Sequence, residues 1–120
     1  MSMSEPDISE EIVVFITASR EDEAARIARA LVESRLAACV NIVKSVRSIY
    51  RWQEAVEDET EVLMLVKSRY SLFDKLAAKV GELHSYDVPE IIALPITTGS
   101  ASYLQWLRES TESIHEGGDK

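Results

Sequence analysis

The chain has little of what many function classes require. It has one cysteine, Cys39, among 120 residues, which excludes an intrachain disulfide. Its four glycines form no phosphate-binding loop, and no apolar run approaches the roughly 20 residues of a membrane-spanning helix. Basic residues number 13 against 21 acidic ones, which argues against nucleic acid or an anionic membrane surface as the main partner.

The catalytic motifs of common enzyme classes are also absent. The sequence contains no GxSxG, HExxH or paired-cysteine motif, so we expect no catalysis. The N-terminus is polar and acidic, the reverse of a signal peptide, which favours a cytoplasmic protein. Length and composition predict one domain at 11–113, with disordered tails at 1–10 and 114–120.

Hydrophobic periodicity predicts an alternation of strands and helices. In chain order these are a strand, a helix, two strands, a helix, a strand and a short terminal helix, at about 12–18, 20–34, 38–52, 62–66, 70–83, 91–96 and 103–107. Ser19 is the expected N-cap of the first helix, and the acidic residues 21–23 suit its positive end. The order β-α-β-β-α-β is the ferredoxin-like pattern of the α+β class, with spatial strand order 4-1-3-2.

The segment 35–69 is the most informative part of the chain, because it predicts two long strands joined by a short turn. If the first strand runs from about Ala38 to Trp52, it is on the order of 45 Å long at roughly 3.3 Å per residue. A compact domain of this size has a radius of gyration of about 13 Å, hence a diameter of roughly 35 Å. The hairpin must therefore protrude or lie across another copy of the chain.

The two strands that this sheet order makes central are continuously apolar, at 12–18 and 62–66. A sheet with helices on one face and water on the other should alternate apolar and polar residues. We therefore expect the second face to be covered as well. Because a chain of this length has no spare element, the expected cover is another subunit.

Six local strings spread over the domain carry a family resemblance. They are FITAS at 15–19, RLAACVNI at 35–42, SIYRW at 48–52, EVLMLVK at 61–67, HSYDVPEI at 84–91 and YLQW at 103–106. Together they resemble the CutA family, the small proteins named for divalent-cation tolerance. The resemblance implies a ferredoxin-like homotrimer, similar in architecture to PII signalling proteins, whose hairpins wrap neighbouring subunits. It also implies divalent-cation binding, since some members bind copper or other divalent cations.

Two positions depart from the family pattern. The family usually has a glycine shortly after the hairpin tryptophan, whereas this chain reads WQEA at 52–55, so its turn needs another geometry or a longer loop. The family's histidine motif commonly reads His-Pro-Tyr-Glu, and here it reads HSYD at 84–87. Without a proline ring to fix φ we expect a looser loop, and the shorter aspartate reduces the reach of the carboxylate.

His84, Asp87 and Glu90 form the best candidate set of metal ligands in the sequence. An imidazole with carboxylates suits copper(II), zinc or manganese, and Cys39 could add a thiolate. The alternative is that His84 interacts with the C-terminal carbonyls of the second helix, with Asp87 and Glu90 capping the loop. For Cys39 the alternative is a small buried residue.

A cleft between subunits is the second candidate site, and its candidate residues are Lys67, Tyr86 and Trp52. Lys67 could attract an anion together with the N-terminus of the second helix. It could instead pair with Glu61 or Glu90, and we favour that interpretation.

Aromatic and acidic residues mark the end of the hairpin. Trp52 and Tyr50 could stack on a ligand, but they are better explained as anchors in a subunit interface. The acidic residues at 57–61 are interpreted as a solvated strand edge that deters edge-to-edge association.

The sequence therefore supports two hypotheses of function. The first is a cytoplasmic, non-enzymatic homotrimer that binds divalent cations such as copper, with His84 as the principal ligand. The second is a PII-like signalling or interaction scaffold that binds a small anionic ligand at subunit clefts.

Overall fold

The computed structural model describes residues 10–113. Apart from Glu10, the tails predicted at 1–10 and 114–120 lie outside the described residues. The elements are β1 (Glu11–Ala18), α1 (Glu21–Glu33), β2 (Cys39–Trp52), β3 (Ala55–Arg69), α2 (Phe73–Leu83), β4 (Ile91–Pro95) and α3 (Ala101–Ser110). A single 3-10 turn at Tyr70–Leu72 leads into α2. The predicted α+β order of elements is thus confirmed.

The sheet is antiparallel throughout, with strand order β2-β3-β1-β4. This confirms the order predicted from the sequence. Side chains alternate across a strand, so Val14, Ile16, Met64 and Val66 lie on one face, where they are fully buried. They form the core with the apolar faces of α1 and α2, including Ile27, Leu31, Leu76 and Val80.

Helix α1 begins differently from the prediction. Arg20, not Ser19, is the N-cap residue, and its side chain makes no capping hydrogen bond. The Ser19 hydroxyl instead donates to the Glu23 carboxylate at 3.2 Å. Asp22 Oδ1 accepts the Glu23 N–H at 2.8 Å, which satisfies one of the amides that a helix start leaves without a partner. The prediction of a Ser19 cap is therefore wrong.

The hairpin has the predicted length. Strands of 14 and 15 residues are joined by a two-residue turn, in which Gln53 takes a φ of 56°. The turn therefore has no glycine but places Gln53 in the left-handed region, and the loop is not lengthened. The radius of gyration is 16.3 Å, against about 13 Å for a compact domain, and the longest dimension is 48 Å. The hairpin therefore extends beyond a compact domain, as predicted, and that it lies across another copy of the chain stays a prediction.

A bulge near the middle of β2 decides which side chains of the hairpin share a face. Before it Ile42 is opposite Met64, on the helix side, and after it Val46 is opposite Glu61. From Val43, opposite Leu63, to Val46, opposite Glu61, three residues of β3 span four residues of β2. This turns the even positions of the outer half of β2 to the face away from the helices.

The sheet face away from α1 and α2 is apolar near its centre, as predicted. Its central residues are Val13, Phe15, Leu63, Leu65, Ile92 and Leu94. Ile92 is 52% exposed and Leu94 49% exposed. That a second subunit covers this face stays a prediction.

Helix α3 is attached to the ends of β1 and β3. The Ser100 hydroxyl accepts the Tyr103 N–H at 3.3 Å, and Leu107 is fully buried. Arg108 forms an ion pair with Glu11 at 2.8 Å. Within residues 10–113, no helix is long and apolar enough to cross a membrane.

Candidate functional site

A cleft of about 830 Å³ lies between the outer half of the hairpin and the loop 84–90 that follows α2. We call it the acidic cleft. Its lining residues are Thr17, Arg47, Ser48, Ile49, Tyr50, Trp52, Glu57, Glu59, Glu61, Tyr86, Asp87, Val88 and Glu90.

Strand geometry explains the acidic wall of this cleft. Glu57, Glu59 and Glu61 are two residues apart, and alternate side chains of a strand share a face. The β2 bulge puts Tyr50 directly opposite Glu57, so both strands direct polar and aromatic side chains to the same side. The interpretation of the acidic segment as a solvated edge is therefore wrong for Glu61, which is only 6% exposed.

Two phenols donate hydrogen bonds to these carboxylates. The Tyr50 hydroxyl donates to Glu59 at 2.8 Å, and the Tyr86 hydroxyl donates to Glu61 at 2.6 Å. The bond to Glu59 raises the pKa of Tyr50 to about 12. Burial, followed by the bond to Glu61, raises the pKa of Tyr86 as well. Both phenols therefore stay protonated at neutral pH and leave the negative charge on the carboxylates.

Negative charge dominates the cleft. Among residues 10–113, five carboxylates line it, on Glu57, Glu59, Glu61, Asp87 and Glu90, against one guanidinium, on Arg47. Arg47 is paired with Asp58 by two bonds, at 2.7 and 2.9 Å. Its charge is thus largely balanced by a carboxylate outside the lining, so the cleft as a whole attracts cations.

His84 fixes the start of the loop that carries Tyr86, Asp87 and Glu90. Its imidazole is fully buried, with Nε2 at 2.7 Å from the Thr17 carbonyl oxygen. Because a carbonyl only accepts, Nε2 carries the proton, and Nδ1 accepts the Tyr86 N–H at 3.0 Å. The backbone N–H of His84 donates to the Val80 carbonyl of α2 at 2.9 Å, whereas its ring bonds Thr17 and Tyr86 and not the helix carbonyls. A metal at His84 would have to displace one of the two ring bonds.

Glu23 is a buried carboxylate behind the same loop, with 4% exposure. Its Oε2 accepts the Ser85 N–H at 2.7 Å and lies 3.7 Å from His84 Nδ1. Burial raises the pKa of Glu23, but hydrogen bonds from Ser85 and Ser19 bring it below its ordinary value. The carboxylate is therefore ionised at neutral pH.

Cys39 and Lys67 lie at the other end of the sheet. They are directly opposite each other in β2 and β3, and Lys67 Nζ bonds the side chain of Asn41. The predicted pairing of Lys67 with Glu61 or Glu90 is wrong. Leu63, opposite Thr17, is four residues from Lys67, or about 13 Å along the strand.

The predicted site residues therefore divide into two groups within one chain. Trp52, Tyr50, Tyr86, Asp87 and Glu90 all line the acidic cleft. The predicted ligand His84 lies behind the loop, and Cys39 and Lys67 lie outside the cleft. Among the described residues no group of three or more His, Cys, Asp or Glu is placed to hold a metal ion in the single chain. Metal binding by the predicted set stays a prediction.

A family model described as CutA1 divalent ion tolerance protein matches residues 12–110. The chain belongs to this CutA1 family. The resemblance carried by the six strings is thereby confirmed.

Individual CutA relatives are similar over most of the chain. The divalent-cation tolerance protein CutA of Thermus thermophilus is 56% identical over 101 residues, which is 84% of this chain and 98% of that protein. Protein CutA of Homo sapiens is 47% identical over 102 residues, 85% of this chain. The match spans 57% of the human protein, so the chain corresponds to little more than half of that relative.

Solved CutA1 structures share the fold. The Thermus thermophilus structure has a TM-score of 0.83 at 56% identity and covers 85% of this chain and 99% of that chain. CutA1 from the psychrotrophic bacterium Shewanella sp. SIB1 has a TM-score of 0.85 at 40% identity, covering 89% of this chain and 100% of that chain.

Sequence reasoning missed several residues of the site. Glu57, Glu59 and Glu61 had a usable signal, because acids two residues apart on a strand share a face. Arg47 and Glu23 had no such signal, since their roles depend on which segments approach them in the folded chain.

Proposed function

We propose that the protein acts in divalent-cation tolerance, without catalysis, by binding divalent cations in the acidic cleft. The single observation that carries the proposal is the charge of that cleft, five carboxylates against one guanidinium already paired with Asp58. The names of its relatives, which refer to divalent-cation tolerance, support the same role.

The ligand atoms favour hard cations. Carboxylate and phenol oxygens face the cleft, and oxygen ligands suit magnesium, calcium and manganese better than softer metals. Mn²⁺ is therefore the probe of choice. Glu59 and Asp87 are the first ligands to test, because they come from opposite walls and both side chains are accessible.

The test is calorimetric titration of the purified protein with Mn²⁺ at neutral pH. We expect saturable binding by the wild type and its loss in the double variant E59Q/D87N. The matched control is E33Q/E112Q, which removes two exposed carboxylates outside the cleft. Wild-type binding that survives in E59Q/D87N would contradict the proposed site.

Copper binding is the finer form of this proposal. Copper(II) prefers imidazole over carboxylate, so it would recruit His84 by displacing the Tyr86 N–H from Nδ1 or the Thr17 carbonyl from Nε2. H84A is then expected to lose far more Cu²⁺ affinity than Mn²⁺ affinity, because Mn²⁺ is affected only through the loop that His84 holds. Equal Cu²⁺ affinity in both proteins would reject His84 as a ligand.

We further propose that the protein is a cytoplasmic homotrimer. The apolar sheet face and the exposed hairpin residues Ile49 and Val56, 63% and 64% exposed, support self-association. Sedimentation equilibrium gives the mass of the assembly directly, and a mass other than that of a trimer at all concentrations would contradict it.

The alternative hypothesis, a PII-like scaffold with an anionic ligand, has less support. Tyr86 and Trp52 line the cleft, but five carboxylates surround them, and an anion there would be repelled. Lys67, the cation invoked for that ligand, bonds Asn41 outside the cleft.

A further inference from the structure

The loop 84–90 forms one wall of the acidic cleft. Hydrogen bonds on the side of the loop away from the cleft attach it to Glu23 and His84. We propose that Glu23 is the positioning residue of this loop, holding Tyr86, Asp87 and Glu90 against the hairpin through Ser85 and His84. This inference rests on the proposed function of the cleft and names the device that keeps the cleft in shape.

The contacts of Glu23 join three separate segments. Oε1 accepts the Ser19 hydroxyl at 3.2 Å, from the end of β1, and Oε2 accepts the Ser85 N–H at 2.7 Å, from the loop. Oε2 also lies 3.7 Å from the imidazole of His84. Glu23 and Ser85 are 62 positions apart in sequence, so this bond connects the start of α1 to the end of α2.

The location of Glu23 explains how a buried charge is tolerated. A buried carboxylate is costly unless it is hydrogen-bonded, and Glu23 has a donor on each oxygen. It also lies in the first turn of α1, where the partial positive charge of the helix start stabilises an anion.

Ser85 is what allows this attachment. The bond at 2.7 Å comes from the backbone N–H of this residue, and a proline at this position would have none. The sequence alone predicts a looser loop at Ser85. The observed bond instead attaches the loop through a charge-assisted hydrogen bond, which is stronger than a neutral one.

The same attachment reaches the cleft through Tyr86. Its N–H donates to His84 Nδ1 at 3.0 Å, and its hydroxyl donates to Glu61 at 2.6 Å on the opposite wall. A shift of Ser85 would therefore move the phenol that bridges the two walls. Tyr86 is the residue through which Glu23 acts on the cleft.

The test compares E23Q with E21Q by amide hydrogen exchange and by Mn²⁺ titration. Glutamine keeps the size of the side chain and one acceptor oxygen but removes the charge. E21Q removes an exposed carboxylate two residues away on the same helix, so it controls for the loss of one negative charge from this part of the protein. We expect E23Q to speed exchange at Ser85 and Tyr86 and to weaken Mn²⁺ binding, each by about tenfold or more, with less than about twofold in E21Q.

A second variant, S85P, removes both the N–H and the hydroxyl that Ser85 offers to Glu23 without touching α1, and S85A, which removes the hydroxyl alone, is its control. In the double variant E23Q/S85P the effect of E23Q on Mn²⁺ affinity should disappear, because the two residues act as a unit. If E23Q alone does not fold, S85P still tests the bond through the exchange rate of Tyr86.

The outcomes separate the two proposals. Unchanged exchange at Ser85 and Tyr86 in E23Q overturns the positioning role, as does faster exchange with unchanged Mn²⁺ affinity. If the wild type does not bind Mn²⁺, the proposed function is wrong, and the exchange rates alone then decide whether Glu23 positions the loop.

Discussion

The Tyr86 hydroxyl donates to the Glu61 carboxylate at 2.6 Å and thereby joins the loop after α2 to the hairpin. Glu61 is 6% exposed, so the phenol replaces water as the donor that this carboxylate needs. Two residues 25 positions apart thus define the width of the acidic cleft at its inner end.

Tyr86→Phe tests the strength of this link. The substitution keeps the ring but leaves the Glu61 carboxylate without that donor, which should lower the free energy of unfolding by about 1–3 kcal/mol. Urea denaturation followed by circular dichroism measures the change. Tyr70→Phe is the matched control, since Tyr70 is 56% exposed and should change stability by less than about 0.5 kcal/mol. Equal effects from both substitutions would show that the hydrogen bond from Tyr86 to Glu61 does not contribute to the free energy of unfolding.

The lowered pKa of Glu23 makes the free energy of unfolding depend on pH. Its pKa is lower in the folded protein than its ordinary value of about 4.3, so its ionised form stabilises the fold. That contribution is fully present above the unfolded pKa and is lost as pH falls through the folded pKa. Wild-type stability should therefore fall below about pH 4.3, whereas E23Q should lose less over the same range. Urea midpoints across this range give the comparison, and an identical pH profile for E23Q would contradict it.

The turn of the hairpin offers a stabilising substitution. Gln53 has a φ of 56°, a region that costs a non-glycine residue roughly 1 kcal/mol, whereas Glu54 is outside that region. Gln53→Gly should raise the free energy of unfolding by about 0.5–1 kcal/mol, and Glu54→Gly should lower it. Thermal unfolding of the two variants measures both changes. A loss of stability in both would contradict a left-handed Gln53 in the turn.

Trp52→Ala tests the assembly. The Trp52 side chain is close to the hairpin turn and its residue is 45% exposed in the single chain. If it anchors a subunit interface, its removal should shift the dissociation of the assembly to higher protein concentration by about tenfold or more. Sedimentation at decreasing concentration measures this. An assembly that persists unchanged on dilution would show that the hairpin end is not an anchor.

The fold could be predicted largely from the sequence, because its determinants are local. Continuous apolar runs predict the central positions of β1 and β3, and apolar residues spaced three and four apart predict α1 and α2. The length of the hairpin also followed from local patterning. Ser19 failed as a cap because its hydroxyl bonds the side chain of Glu23, four residues further along the chain, in place of a backbone amide.

The site was less predictable because its geometry depends on register and on distant contacts. The bulge in β2 adds one residue, and one residue reverses which side chains face the cleft. Nothing in the sequence marks that position. His84 was a natural choice of ligand by residue type, yet its ring nitrogens contact Thr17 and Tyr86, which only the folded chain brings together.

The most direct test of the account is to locate the cation. Mn²⁺ is paramagnetic, so added at low occupancy it broadens the backbone amide signals of nearby residues in a heteronuclear NMR spectrum of the full-length protein. We predict selective broadening at 57–61 and 84–90, the two walls of the acidic cleft, and unbroadened signals in α3. Broadening spread evenly over the acidic surface, or concentrated around Cys39, would contradict the assignment of the cleft as the cation site.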